Sequence, residues 1–223
     1  MEGTADGTGH PRVRTFKARR GRTSPTQRAR LHDALALFGL PPGPLTPSEV
    51  FGRSAPLVIE VGSGLGHAAL GYAGSHPHHD LIAIDVHTPG IALLASRLEA
   101  AALTNLRVVE GDAFELLDRL PPASLHAVHL FFPDPWPKRA HHKRRFVRPD
   151  VIDLLASRLE RGGRLLMATD DEAYAAAAAM ELDAHAGFTG GPSLRPGWRP
   201  IAGYEARAIR LGHEVHDLCH RRR

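Results

Sequence analysis

A run of proline, aromatic, acidic and basic residues at positions 131 to 148 carries the most chemical information in this chain. It reads Phe-Phe-Pro-Asp-Pro-Trp-Pro-Lys-Arg-Ala-His-His-Lys-Arg-Arg-Phe-Val-Arg. Proline fixes φ and removes a backbone donor, so the run predicts a stiff loop rather than a helix or a central strand. Such a loop can place the Asp134 carboxylate and the Trp136 indole beside a planar ring that forms hydrogen bonds. The alternative is a rigid surface turn with a solvated charged face.

A glycine-rich turn follows the first predicted strand, at Glu60-Val61-Gly62-Ser63-Gly64-Leu65-Gly66. Glycine allows positive φ and a close approach of a ligand to the backbone, and the next helix presents free N–H groups. The dinucleotide fingerprint G-x-G-x-x-G fails here, because His67 occupies the place of its third glycine. The spacing G-x-G-x-G instead resembles that of the S-adenosylmethionine-dependent methyltransferase superfamily.

Three carboxylates lie near the ends of successive predicted strands. Asp85 ends the second strand, where it can accept hydrogen bonds from ribose hydroxyls, and Asp112 follows the third, where it can accept from an adenine amino group. Glu60, beside the glycine turn, can face the ammonium of a methionine-like group. Each carboxylate could instead cap the next helix or turn. Their common position beyond the strand ends favours a nucleoside site.

Short apolar runs alternate with helical patterns along the chain, which predicts an α/β fold with a mostly parallel, doubly wound sheet and helices on both faces. We expect an antiparallel C-terminal strand as well. The predicted strands span residues 57–61, 81–85, 106–109, 126–131 and 164–168, with a last one near 213–219. One predicted helix ends near residue 38, and four others span residues 65–74, 89–102, 150–159 and 171–186.

Composition predicts one soluble globular domain: the 223 residues are 43% hydrophobic and 23% charged. The single cysteine, Cys219, allows no internal disulfide, which together with the lack of an apolar leader predicts a cytoplasmic protein without membrane contact. We expect residues 1–24 to form a disordered, basic N-terminal arm and residues 25–223 a single domain. Residues 12–30 contain eight basic and no acidic side chains, and residues 138–148 six more, which favours nucleic acid as partner.

Five motifs in order resemble one family, the bacterial tRNA (guanine-N7-)-methyltransferases. They are Glu-Val-Gly-Ser-Gly-x-Gly, Ala-Ile-Asp-Val-His-x-Pro-Gly, Gly-Asp-Ala, the Pro-Asp-Pro-Trp segment with its basic continuation, and Ala-Thr-Asp. The resemblance covers roughly residues 12 to 218, and the Pro-Asp-Pro-Trp segment is its specific part. It implies a Rossmann-like class I methyltransferase domain that transfers a methyl group from S-adenosylmethionine to N7 of the variable-loop guanine, position 46 of tRNA.

The resemblance also implies roles for individual residues. The catalytic residue would be Asp134. The cofactor would be bound by Glu60, Gly62, Gly64, Gly66, Asp85, Asp112 and Asp134. The substrate would be bound by Lys138, Asp170, Tyr204, Glu205 and Arg207. A substrate motif that is usually Thr-Lys-Phe-Glu falls here on Ala202-Gly203-Tyr204-Glu205, so that only its glutamate is kept.

Guanine N7 carries a lone pair and no proton, so methyl transfer needs placement and desolvation rather than a base. We expect Asp134 to accept from the guanine edge and to stabilise the developing positive charge. Trp136 could stack on a base or brace the loop, and tRNA phosphates are assigned to Lys138, Lys143, Arg144 and Arg145. No histidine or cysteine spacing matches a zinc site, so no metal is expected. Two alternative functions remain: a methyltransferase that acts on another RNA site or a small molecule, and an RNA-binding module without catalysis. For the oligomeric state, a monomer and a homodimer both remain open.

Overall fold

The computed structural model describes residues 13–16 and 25–223, and the remainder of the predicted N-terminal arm lies outside the described residues. One 3-10 helix, Arg139–Arg144, follows the proline-rich loop. The other helices are α1 (Pro25–Phe38), α2 (Pro47–Phe51), α3 (His67–Ser75), α4 (Thr88–Ala100), α5 (Ala113–Arg119), α6 (Pro149–Arg158), α7 (Glu172–Ala184) and α8 (Gly203–Arg210). The strands are β1 (Leu57–Val61), β2 (Asp80–Asp85), β3 (Leu106–Glu110), β4 (Leu125–Phe131), β5 (Leu159–Thr169), β6 (Phe188–Pro192) and β7 (His216–Arg222).

The seven strands form one sheet in the order β3-β2-β1-β4-β5-β7-β6. Strands β1 to β5 pair in parallel, and β7 runs antiparallel between β5 and β6. The predicted mostly parallel sheet and its antiparallel C-terminal strand are thus confirmed. Strand β1 has β2 on one side and β4 on the other, so the direction in which successive strands are added reverses at β1. In open α/β sheets, ligands bind beyond the carboxyl ends of the strands at such a switch point.

Helices cover both faces of the sheet because its central strands carry apolar side chains on both sides. On β1, Ile59 packs into one core cluster and its neighbour Val58 into the other. The first cluster receives side chains from α5, α6 and α7, and the second from α1, α3 and α4. Both β1 side chains are fully buried. The two-layer cover leaves the carboxyl ends of the strands as the open edge where a site can form.

Several element bounds differ from the sequence predictions. Helix α5, strand β6 and helix α8 were not predicted, because each is short and β6 contains two adjacent glycines. The last strand begins at His216 rather than His213. The Gly162-Gly163 pair, expected to close a helix, lies inside β5, where Gly162 takes a φ of +79° at an irregularity in the pairing with β4. Within the described ranges, no helix has both the length and the hydropathy that crossing a bilayer requires.

Candidate active site

The glycine-rich turn between β1 and α3 is held in a tight conformation by β2. The backbone N–H of Gly62 donates to Ile84 O at 2.8 Å, and that of Gly64 donates to Asp85 Oδ2 at 2.7 Å. Gly62, Gly64 and Gly66 all have positive φ, between +55° and +77°. Side chains are disfavoured in this conformation, so the three glycines satisfy a backbone requirement of the turn.

Gly66 has a second reason to lack a side chain. A Cβ built on it would lie 2.3 Å from Leu94 Cδ1 of α4, which is fully buried. The turn is therefore pressed against the helix that follows β2, and its place relative to the strand ends is fixed by packing as well as by hydrogen bonds.

A cavity of about 400 Å³ opens beside this turn, within the size range of small-molecule sites. It is bounded by the end of β1, the turn, the end of β4 and the first turn of α8. The predicted site residues that line it are Glu60, Gly62, Gly64, Tyr204, Glu205 and Arg207. The structure therefore brings residues from two distant motifs of the sequence to one cavity.

Glu60 gives the larger cavity its unusual electrostatics. Its side chain is 2% exposed, and within the described ranges its Oε2 atom is buried without a hydrogen-bond partner. Burial, and secondarily the nearby Asp85 carboxylate, raise the pKa of Glu60 to about 8 against 4.5 for an ordinary glutamate. A buried carboxyl group with an unmatched oxygen fits a cationic ligand, which would supply the missing charge and hydrogen bonds.

A second, smaller cavity of about 80 Å³ lies beyond the ends of β2 and β3. Asp85 and Asp112, the two carboxylates that we expect at the nucleoside end of a cofactor, line it together with Thr15 and Phe16 of the N-terminal segment. Both carboxylates also accept the capping and turn hydrogen bonds that the alternative interpretation predicts. Asp112 Oδ1 caps α5 by accepting from Phe114 N at 2.9 Å, and Asp85 accepts from the backbone of the glycine turn and of His87.

Asp134 lies in the proline-rich loop that follows β4. Phe132, two residues before it, lines the larger cavity, whereas Trp136, two residues after it, donates from Nε1 to Thr15 O at 2.9 Å. Asp134 itself is half-buried, and among the described residues the linings of the two cavities do not include it. Phe132 and Trp136 have φ values of +52° and +46°, so the loop is strained on both sides of the carboxylate.

Trp136 braces this loop. The ring is buried, the Arg144 guanidinium lies 3.9 Å from its centroid, and His141 contacts it edge-on. Arg144 in turn donates to the carbonyls of Arg14 and Phe16. Of the two roles considered for Trp136, bracing the loop fits these contacts.

The basic residues after Trp136 include buried side chains that stabilise the loop and side chains that are exposed to solvent. Arg145 is 7% exposed, donates to Pro135 O at 2.9 Å and lies over the Tyr174 ring, so its burial does not fit the predicted phosphate role. Lys138 and Lys143 are exposed on the 3-10 helix and its N-cap. These two lysines therefore keep the phosphate role predicted for them.

Two residues predicted to bind the substrate, Glu205 and Asp170, differ in burial and in their distance from the larger cavity. Glu205 is buried on the cavity wall, where it accepts from Arg195 at 2.6 Å and from Arg199 at 2.9 and 3.1 Å. Asp170 follows β5 on the surface and accepts from His213 Nδ1 at 3.2 Å. Asp170 and Lys138 are absent from the described linings of both cavities.

Sequence reasoning missed several cavity residues. Arg199 lines the larger cavity although it is 2% exposed, and His67 and His87 line it from the starts of α3 and α4. Phe16 was treated as part of a disordered arm. The Arg14-Thr15-Phe16 stretch offered no periodicity to place it, whereas Arg199 could have been suspected as an isolated arginine shortly before a motif.

Among the described residues, no group of three or more histidine, cysteine, aspartate or glutamate side chains is arranged to hold a metal ion. Several histidines instead form ring contacts: His76 stacks on Tyr72, His129 stacks on Trp198 and contacts Tyr72 edge-on, and His79 contacts His126 edge-on. Burial lowers the pKa of His129 to about 3, so this histidine is neutral.

The sheet order, the glycine turn and the buried glutamate at the end of β1 define a class I methyltransferase fold. A solved aminoglycoside resistance methyltransferase shares this fold with a TM-score of 0.56 at 18% identity, over 79% of this chain and 91% of that one. A family model described as "Putative methyltransferase" matches residues 54–218.

Curated relatives narrow the class to one family. A tRNA (guanine-N(7)-)-methyltransferase of Thiobacillus denitrificans is 43% identical over 99% of this chain and its own full length. One of Alcanivorax borkumensis is 44% identical over 95% of this chain and 92% of its own. The chain belongs to the tRNA (guanine-N(7)-)-methyltransferase family.

Proposed function

We propose that this methyltransferase transfers a methyl group from S-adenosylmethionine to N7 of the variable-loop guanine of tRNA, position 46. The observation that carries the proposal is the buried Glu60 carboxyl group beside the glycine turn on the wall of the larger cavity, where its Oε2 atom has no partner in the part of the chain that the structure describes. Family membership supplies the reaction class, and this site supplies the place for a cationic cofactor.

The two cavities fit the two ends of that cofactor. Glu60 would accept hydrogen bonds from the ammonium of the methionine end, while Asp85 and Asp112 would face the ribose and the adenine. Asp85 accepts from the backbone N–H groups of Gly64 and His87, and Asp112 accepts from that of Phe114, which fixes the position of each carboxylate before the ligand arrives. The bound cofactor supplies an electrophilic methyl group.

Asp134 would bind the guanine. Its loop begins at the wall of the larger cavity and ends at Trp136, so a base beside Asp134 would lie next to the methionine end. The carboxylate can accept from N1–H and the exocyclic amino group, and its negative charge stabilises the positive charge that develops on the ring. Since N7 has no proton to lose, orientation and exclusion of water are the tasks left to the protein.

The tRNA backbone would contact exposed basic side chains on two sides of the site. Lys138 and Lys143 extend from the loop and the 3-10 helix, and Arg207 extends from α8 at the rim of the larger cavity. Each neutralised phosphate releases counterions, so binding is expected to weaken as salt concentration rises.

The proposal is tested with two tRNA transcripts that differ at the variable-loop guanosine. We expect methyl incorporation from S-adenosylmethionine into the transcript that carries the guanosine and background incorporation into the other. Asp134→Ala should abolish most turnover, whereas Asp153→Ala, which removes an exposed aspartate on α6, should retain it. Equal methylation of both transcripts, or an Asp134→Ala variant with ordinary turnover, would refute the assignment.

A further inference from the structure

Arg199 is a deeply buried cation beside the larger cavity, and its guanidinium is fully engaged with two carboxylates. It donates to both oxygens of Asp217 at 2.6 and 3.0 Å and to both oxygens of Glu205 at 2.9 and 3.1 Å. A buried charge is tolerated when it is paired and hydrogen-bonded in this way. The forked geometry is one that a lysine ammonium does not reproduce.

These contacts connect the C-terminal wall of the cavity to the Asp134 loop. Glu205 belongs to α8 and Asp217 to β7, so Arg199, which precedes both elements in the chain, ties the helix to the strand that follows it. The guanidinium carbon also lies 4.9 Å from the ring centroid of Phe131 and 6.0 Å from that of Phe132, where the Asp134 loop begins. One side chain thereby positions residues on both sides of the site.

The charges of this cluster balance without Glu60. Arg195 adds a second guanidinium, which donates to Glu205 Oε1 at 2.6 Å, so two arginines face two carboxylates. Burial raises the pKa of Glu60 and outweighs the lowering effect of Arg199, and the cluster as a whole carries no net positive charge among the described residues. A cationic ligand would supply the compensating charge when Glu60 ionises.

We propose that Arg199 is a positioning residue of the cofactor site: by neutralising Glu205 and Asp217 it fixes the cavity wall and leaves the Glu60 carboxylate to recognise the cationic part of the cofactor. The inference rests on the function proposed above. It explains why a glutamate is buried beside an arginine that does not hydrogen-bond to it among the contacts of the described residues.

Other charged or titratable groups surround Glu60. Asp85 at the end of β2 acts on its carboxyl group, and His129 of β4 lies opposite it in the sheet. The same cavity is also lined by His67, His87, Glu205 and Arg207. The Arg199 and Asp217 variants described below leave all of these groups unchanged. Their effects therefore cancel when the variants are compared with the original protein. A change in the Arg199–Asp217 pair then reports on the charge that Glu60 senses.

The test measures the dissociation constant of S-adenosylhomocysteine across pH by calorimetry. Arg199→Gln removes a positive charge near Glu60, so the pH midpoint at which affinity develops should rise, by roughly one pH unit. Asp217→Asn removes a negative charge, so the midpoint should fall. Arg199→Lys keeps the charge but loses the fork, so affinity should drop several-fold at every pH with a nearly unchanged midpoint. A role in stability alone does not predict shifts of opposite sign.

Arg53→Gln is the matched control. It breaks the pair between Arg53 and the buried Asp80, whose atoms are 2.6 Å apart at the opposite end of β2, and should lower stability without moving the midpoint. Shifts of the same sign in Arg199→Gln and Asp217→Asn, or no shift in either, would overturn the inference. If Arg199→Gln does not fold, the absence of a downward shift in Asp217→Asn overturns it. Failure of the unaltered protein to bind the ligand would instead refute the proposed function.

Discussion

Replacing Glu60 by glutamine should make the ligand-free protein relatively more stable as pH rises. The pKa of Glu60 is about 8 in the folded protein and 4.5 when the side chain is exposed, with burial as the main cause. Between these two values the folded state binds a proton that the unfolded state has released. Stability is therefore lost as pH increases through this window, and glutamine, which does not titrate, removes that loss.

The magnitude follows from the width of the window. Each pH unit inside it changes the difference in unfolding free energy between the variant and the original protein by about 1.4 kcal/mol. From about pH 5.5 to about pH 7.5 the difference should grow by roughly 3 kcal/mol. For a chain of this size that corresponds to a gap in melting temperature that widens by roughly 5 to 12 °C. A constant offset is also expected, because the glutamine amide is buried in place of a carboxyl group.

The assay is thermal or urea denaturation of both proteins over this pH range, without ligand. Taking the difference between the two proteins at each pH cancels the other titrating groups, which both share. Melting curves that stay parallel with pH would show that Glu60 titrates normally, and the electrostatic account of the cavity would then be wrong. The same variant should bind S-adenosylhomocysteine far more weakly above pH 8, where the carboxylate is ionised in the original protein.

Two further substitutions test the frame around the site. Tyr174→Phe removes a buried hydroxyl that accepts from the backbone N–H groups of Phe146 and Val147, at 3.0 and 3.2 Å, and should cost about 2 to 4 kcal/mol of unfolding free energy in urea titrations; an unchanged midpoint would contradict that accounting. Gly66→Ala should be strongly destabilising, because it combines positive φ with a clash against Leu94. If the clash contributes, Leu94→Ala should cost less stability in the Gly66→Ala protein than in the original one, measured by melting of the secondary-structure signal. Equal costs in the two proteins would assign the whole effect to the backbone.

The order of strands and helices was predictable because the central strands are continuous apolar runs between glycine, proline and polar segments. The glycine turn and the three carboxylates were predictable for a related reason, since parallel strands bring their carboxyl ends to one edge. Helix α8 was not predictable, because it is only eight residues long and its large apolar side chains, Tyr204 and Ile209, are exposed whereas Glu205 is buried. The inclusion of Thr15 and Phe16 in the smaller cavity was not predictable either, because it depends on contacts with residues more than one hundred positions away.

The choice between capping and binding for Asp85 and Asp112 also needed the structure. Sequence reasoning treated these roles as alternatives, but a carboxylate has two oxygens and accepts several hydrogen bonds. Asp112 uses Oδ1 for its cap and still lines the smaller cavity. Glu205 shows the opposite case, because its place in a substrate motif did not reveal that two arginines already neutralise it.

Several features of the site are costly for folding, and their locations coincide with the expected chemistry. Glu60 is buried with an oxygen that has no hydrogen-bond partner among the described residues, and Phe132 and Trp136 have left-handed backbone conformations on either side of Asp134. Costs of this kind persist when surrounding contacts over-determine the conformation. Those contacts are present: Trp136 is clamped by Arg144 and by the N-terminal segment, and the start of the loop packs against the Arg199 guanidinium. Under the function proposed above, a site held in this way presents the Glu60 and Asp134 carboxylates to a cation and a purine without rearranging, and such placement is what methyl transfer to an unprotonated nitrogen requires.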